Sequence, residues 1–216
     1  METSELWQKE LFEDHKTGKH LRYLSHVAAG EERLPLILYI HGAGSRGDSL
    51  DGLGHVGPIG ELDRGRPIAA HIVAPQCHAD TWFELFETLL DFVRQQAARP
   101  DVDPDRVYLC GSSMGGYTSW QLAMSCPELF AALVPVCGGG MYWNAGRLKE
   151  MPIWAFHGAR DRVVLPEESL HMVRAVNDCG GHARLTILPR AEHNAWDAAF
   201  SSEELWDWLF QQGKTR

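Results

Sequence analysis

Short apolar runs alternate with helical stripes along most of this chain. Pro35-Leu-Ile-Leu-Tyr-Ile40 and the segments 68–74, 107–110, 131–136, 152–156 and 183–188 are each about the length of a strand. Those that are continuously apolar predict strands buried on both faces. Between them, Phe83, Phe86, Leu89, Leu90 and Val93 recur at helical spacing, and Pro100 closes that region. Residues 114–124 predict a helix packed on both sides, ended by Pro127. Pro166 followed by Glu167 and Glu168 opens another, because acidic groups suit the positive end of a helix, and Gly180-Gly181 closes it. Ser201 with Glu204 three residues on predicts a capping box for the last helix, whose apolar face is Leu205, Trp208 and Leu209. The first 27 residues differ. There 6–14 and 19–27 mix polar and apolar positions around the turn Lys16-Thr-Gly-Lys19, as in an antiparallel edge hairpin. Residues 30–34 and 101–105 read as loops or turns. Residues 49–65 hold five glycines and a proline and predict loop with one short helix.

This alternation predicts an α/β fold with a mainly parallel central sheet and helices on both faces. No repeat, low-complexity stretch or linker divides it, so residues 1–216 read as one domain. In such sheets ligands bind beyond the carboxyl ends of the strands. His41, Ser113, Gly138, Asp161 and His193 all directly follow predicted strands.

Composition narrows the choice of partners. A formal net charge of −9 argues against a nucleic-acid or anionic-membrane surface. No apolar run is long enough to span a membrane, and the first residues show no basic-then-apolar leader. Five cysteines, Cys77, Cys110, Cys126, Cys137 and Cys179, match no zinc spacing and read as reduced, mostly buried thiols of a cytoplasmic protein. A small-molecule partner is expected, with no metal and no cofactor. A homodimer stays open.

The segment Gly111-Ser-Ser-Met-Gly115 is a G-x-S-x-G pentapeptide between a predicted strand and a predicted helix. By composition alone it would arise in about one chain in ten of this length, so its context has to decide. The glycine frame selects Ser113 and not Ser112. A serine hydroxyl needs a base within hydrogen-bond reach, and the base needs an acceptor to hold its tautomer. His193 and Asp161 suit those roles. The 32 residues between them hold one helix and one strand, which returns the chain to the same sheet edge. The glycine-rich loop His41-Gly-Ala-Gly-Ser-Arg-Gly-Asp48 would offer the N–H of Ala43 to an oxyanion, beside the N–H of Met114 at the helix start. The loop carries neither G-x-G-x-x-G nor a Walker lysine, which disfavours nucleotide binding. His41 is expected to pack under the loop, with Arg46 and Asp48 bracing it.

Together these segments, with Pro75-Gln76, Trp82, Pro152-Ile-Trp-Ala-Phe-His-Gly-Ala-Arg-Asp161 and His193-Asn-Ala-Trp196, resemble α/β-hydrolases of the serine carboxylesterase type. The resemblance extends to phospholipase/carboxylesterases, dienelactone-hydrolase-like proteins and peptidase-like esterases, and covers roughly residues 35–197. It implies Ser113 as nucleophile, His193 as base and Asp161 as orienting acid, with Ala43 and Met114 as oxyanion donors. It implies hydrolysis of small or short-acyl esters. Peptidase, thioesterase or lysophospholipase activity on the same residues, or a silent binding module, are the alternatives. Only residues 140–151 could cap the site, so the pocket is expected to be open or shallow. Trp82, Met141, Tyr142, Trp143 and Trp196 lie on or beside strand-end loops and are its candidate lining.

Overall fold

A computed structural model describes residues 6–30, 32–53 and 56–214. Glu31, in the predicted loop 30–34, and Gly54 and His55, in the stretch 49–65, lie outside the described residues. The molecule is built on one eight-stranded sheet. Its strands are β1 (Gln8–Asp14), β2 (Lys19–His26), β3 (Leu34–Ile40), β4 (His71–Pro75), β5 (Val102–Ser112), β6 (Ala132–Val136), β7 (Ile153–Gly158) and β8 (Ala183–Leu188). The order across the sheet is β1-β2-β4-β3-β5-β6-β7-β8. β1 and β2 form an antiparallel hairpin at one edge, and β2 pairs antiparallel with β4. Every other pairing is parallel.

The helices are α1 (Gly57–Asp63), α2 (Phe86–Ala97), α3 (Met114–Ser125), α4 (Pro166–Asp178), α5 (Ala195–Phe200) and α6 (Glu203–Phe210). Because side chains alternate along a strand, the apolar runs feed two cores. Leu36, Leu38 and Ile40 join Val107 and Leu109 against α2, α3 and α4. Ile37, Tyr39, Tyr108 and Cys110 face the opposite layer, made by α1, α5 and α6. Continuous apolarity was therefore the correct signal for two-sided burial.

Three expectations change. The turn expected over 101–105 is the start of β5. There Leu34 pairs with Val102 and Leu36 with Val107, so a bulge absorbs the extra residues. The Asp103 carboxylate accepts from the Asp105 N–H and from Arg106 within that irregularity, which explains its turn-like composition. The apolar stripe assigned to 83–93 is rotated. Trp82–Leu85 forms a 3-10 turn before α2. Its tighter winding puts Trp82 and Leu85, three apart, on one side and leaves Phe83 54% exposed. The buried face of α2 is Leu89, Phe92 and Val93 with Thr88 and Gln96. The cap expected at Ser201 belongs to Ser202, whose hydroxyl accepts from the Leu205 N–H. Ser201 instead ends α5, a six-residue helix too short to leave a periodic pattern.

Candidate active site

β5 ends at Ser112 and α3 begins at Met114, so the whole strand-to-helix reversal falls on Ser113. Its backbone has φ 56° and ψ −120°, a conformation side chains rarely adopt. Close packing enforces it. A Cβ at Gly115 would strike the Ile40 and His41 carbonyls of the neighbouring strand, and one at Gly111 would strike Ser119 Oγ and the Gly115 backbone. Ser112 is directed elsewhere. It is buried, and its hydroxyl lies 3.1 Å from Tyr39 Oη.

Ser113 Oγ lies 2.8 Å from His193 Nε2, and His193 Nδ1 lies 2.7 Å from Asp161 Oδ2. The three residues come from the ends of β5, β8 and β7, far apart in the chain. Asp161 is buried, and its Oδ1 accepts the N–H groups of Val163 and Val164, at 2.9 Å each. Burial alone would raise its pKa. The hydrogen bonds from His193, Val164 and Val163 outweigh burial and hold it below the usual carboxylate range. The acid is therefore ionised, and it orients a donor Nδ1–H on His193, which leaves Nε2 free to accept from the serine. Trp196 packs edge-on against the imidazole, with centroids 5.3 Å apart.

A second histidine borders this acid. His157 is fully buried, with Nε2 2.9 Å from the Val164 carbonyl and 3.3 Å from Asp161 Oδ2, and Nδ1 2.7 Å from Ser169 Oγ. Cys137 completes a cluster of three ligand-type side chains within 4.8 Å. Both His157 nitrogens and both Asp161 oxygens already have protein partners, so these residues serve as hydrogen-bonded support.

The loop after β3 is braced from below. Arg46 Nε donates to the Ala43 carbonyl and its Nη1 to the Asp80 carbonyl. Gln76 Nε2 donates to the carbonyls of Ser45 and Gly47. His41 accepts the Cys77 N–H at Nε2, 3.0 Å away, and its Nδ1 lies 2.7 Å from the Gly42 carbonyl. Burial pushes the His41 pKa down to about 4, so the ring is neutral with its proton on Nδ1. Ala43 opens the short 3-10 turn Ala43–Ser45, and Met114 opens α3. The first N–H groups of a helix have no intrahelical acceptor and face outward along its axis. Asp48 takes part through its carbonyl, which accepts from Arg22.

Of the expected lining residues, Trp82 is displaced. It is fully buried and its indole N–H donates to the His41 carbonyl, so it supports the loop from within the core. Tyr142 and Trp143 are exposed, and Tyr142 faces His171 across 6.2 Å. Met141 lines a groove of about 710 Å³ together with Phe83, Phe86 and Tyr117. Sequence reading missed the groove because its walls come from separate segments. The helical spacing of Phe83 reads instead as a buried helix face.

Fold and comparisons agree on the class. A profile of the prolyl oligopeptidase family matches residues 83–144. A thermostable esterase is 29% identical and superposes with a TM-score of 0.83, over 97% of this chain and 64% of its own. The acylaminoacyl peptidase of Pyrococcus horikoshii is 15% identical with a TM-score of 0.71, over 98% of this chain and 42% of its own. A ferulic acid esterase is 14% identical with a TM-score of 0.67, over 94% of this chain and 95% of its own. Against proteins of curated function the sequence finds no significant match. The chain thus spans under two thirds of the first two structures it resembles. Its fold is the α/β-hydrolase fold. The proteins of that fold it resembles are esterases and peptidases.

Proposed function

We propose that this chain is a serine carboxylesterase that cleaves small esters through an acyl-enzyme. The observation that supports this reading most is the unbroken hydrogen-bonded chain from Ser113 Oγ through His193 to the ionised Asp161. His193 Nε2 takes the Ser113 proton as Oγ attacks the ester carbonyl. The N–H groups of Ala43 and Met114 receive the oxyanion, each worth on the order of 3 kcal/mol to the transition state. The carbon–oxygen bond to the alcohol then breaks, and the alcohol leaves with the proton from His193. Water, deprotonated in turn by His193, attacks the acyl carbonyl, releases the acid and returns Ser113. Amide cleavage by the same residues is the second reading, favoured by the prolyl oligopeptidase match.

The test pairs adjacent serines. Ser113→Ala should abolish hydrolysis of p-nitrophenyl acetate and labelling by a fluorophosphonate. Ser112→Ala should keep both, because that hydroxyl is turned toward Tyr39. Equal loss in the two variants would reject Ser113 as the nucleophile. Cleavage of peptidyl p-nitroanilides without ester cleavage would favour the second reading.

A further inference from the structure

We propose that the groove walled by Tyr117, one helical turn from Ser113, binds the acyl part of the substrate and selects medium-length apolar acyl groups over acetyl. This rests on the acyl-transfer reading above. It also extends the acyl range beyond the short groups expected from a chain with little room for a lid.

The groove encloses about 710 Å³, in the range of sites that hold small organic ligands. Its apolar walls are Phe83 and Leu85 in the turn before α2, Phe86 at the start of α2, Tyr117 on α3, and Gly140 and Met141 after β6, with polar side chains such as Thr17 and Gln121 between them. Phe83 and Phe86 stack with centroids 6.3 Å apart, and Phe83 stays 54% exposed although nothing in its own turn requires an aromatic ring there. Lys19, Glu84 and Glu87 also border the groove, and two of these charges are engaged. Lys19 Nζ donates to the Glu84 carbonyl, and Glu84 Oε1 accepts from the Thr81 N–H. The surface left for a ligand is mainly apolar, which suits a hydrocarbon chain.

Position ties the groove to the chemistry. The Tyr117 N–H donates to the Ser113 carbonyl, so this wall stands one helical turn, about 5 Å, beyond the nucleophile. The other walls also rise at the carboxyl edge of the sheet, from the chain after β4 and β6.

The direction of cleavage assigns the occupant. The leaving alcohol must meet His193 Nε2 to take its proton. His193 runs into Ala195 and Trp196, which pack in the α1, α5 and α6 layer. Leu85, Phe86 and Met114 pack in the opposite layer with α2, α3 and α4. The alcohol is therefore held toward one face of the sheet, and the acyl group is the part that can extend toward the other, where the groove lies.

The experiment measures kcat/KM for p-nitrophenyl acetate and octanoate with wild type, Phe83→Asp, Met141→Asp and Leu11→Asp. Each buried methylene favours binding by about fourfold, so partial burial of the octanoyl chain should give wild type at least a tenfold octanoate preference. Phe83→Asp and Met141→Asp should each cut the octanoate-to-acetate ratio about tenfold. Leu11→Asp, on the exposed edge strand, should leave that ratio alone. Both altered side chains are partly exposed, so the variants should fold, and circular dichroism checks this. A ratio moved less than about twofold in both groove variants would overturn the acyl assignment while leaving the esterase reading standing. Absence of any ester hydrolysis by wild type would overturn both.

Discussion

Ser112 and Ser113 are chemically identical neighbours with opposite roles in the structure. One bonds to Tyr39 inside the sheet, and the other sits at φ 56° within reach of His193. Cys137 shows the same strain at the end of the next strand, with φ 48°. Burial pushes its thiol up to about 12, and that of Cys126 likewise, while Cys110 and Cys77 are also raised by burial. These four are buried thiols and not competing nucleophiles. Cys179, the exposed one, is the expected target of iodoacetamide on the native protein near neutral pH. Mass spectrometry should find one modified cysteine, and modification of Cys137 under native conditions would contradict its burial.

Element boundaries carry a second lesson. The serine that caps α6 is Ser202, and Ser202→Ala should cost about 1 kcal/mol in urea unfolding. Ser201→Ala should cost less, because that hydroxyl only reaches back to the Ala198 carbonyl. An equal or larger loss at Ser201 would reverse the assignment. The misplacement by one residue arose because α5 is invisible to periodicity. The rotated stripe before α2 has a related cause, since a 3-10 turn advances each residue about 120° where an α-helix advances 100°. By contrast the strand positions were legible, since two-sided burial requires an unbroken apolar run and few other environments do. Ser113 and Asp161 were legible for the same reason, as each stands just past such a run, whereas His193 follows the edge strand β8, interrupted by Arg184 and Thr186, and was legible from chain order.

Stability should depend on pH through His41, which the fold holds neutral beneath the loop that carries Ala43. In the unfolded chain the ring takes up a proton near its ordinary value of 6.5, but in the folded protein only near about 4. Between those values the unfolded state binds more protons, so stability falls as pH falls through that window. The full effect is about 3 kcal/mol. Urea unfolding of wild type at about pH 7 and about pH 5 should show the loss, and His41→Gln should flatten the dependence. An unchanged slope in the variant would place the pH sensitivity elsewhere. Among the described residues no helix is long and apolar enough to cross a membrane.

The sequence by itself determined the α/β class, the sites of most strands and the three polar residues that follow β5, β7 and β8. These depend on local spacing and on chain order, and both are written along one dimension. Tertiary structure alone decided that Trp82 turns inward to the His41 carbonyl while its neighbour Phe83 stays outside. It also decided that Phe83, Tyr117 and Met141, far apart in the chain, share one groove. A side chain's side is set by the winding of its turn and by what packs against it. Those contacts come from distant segments that no local pattern contains.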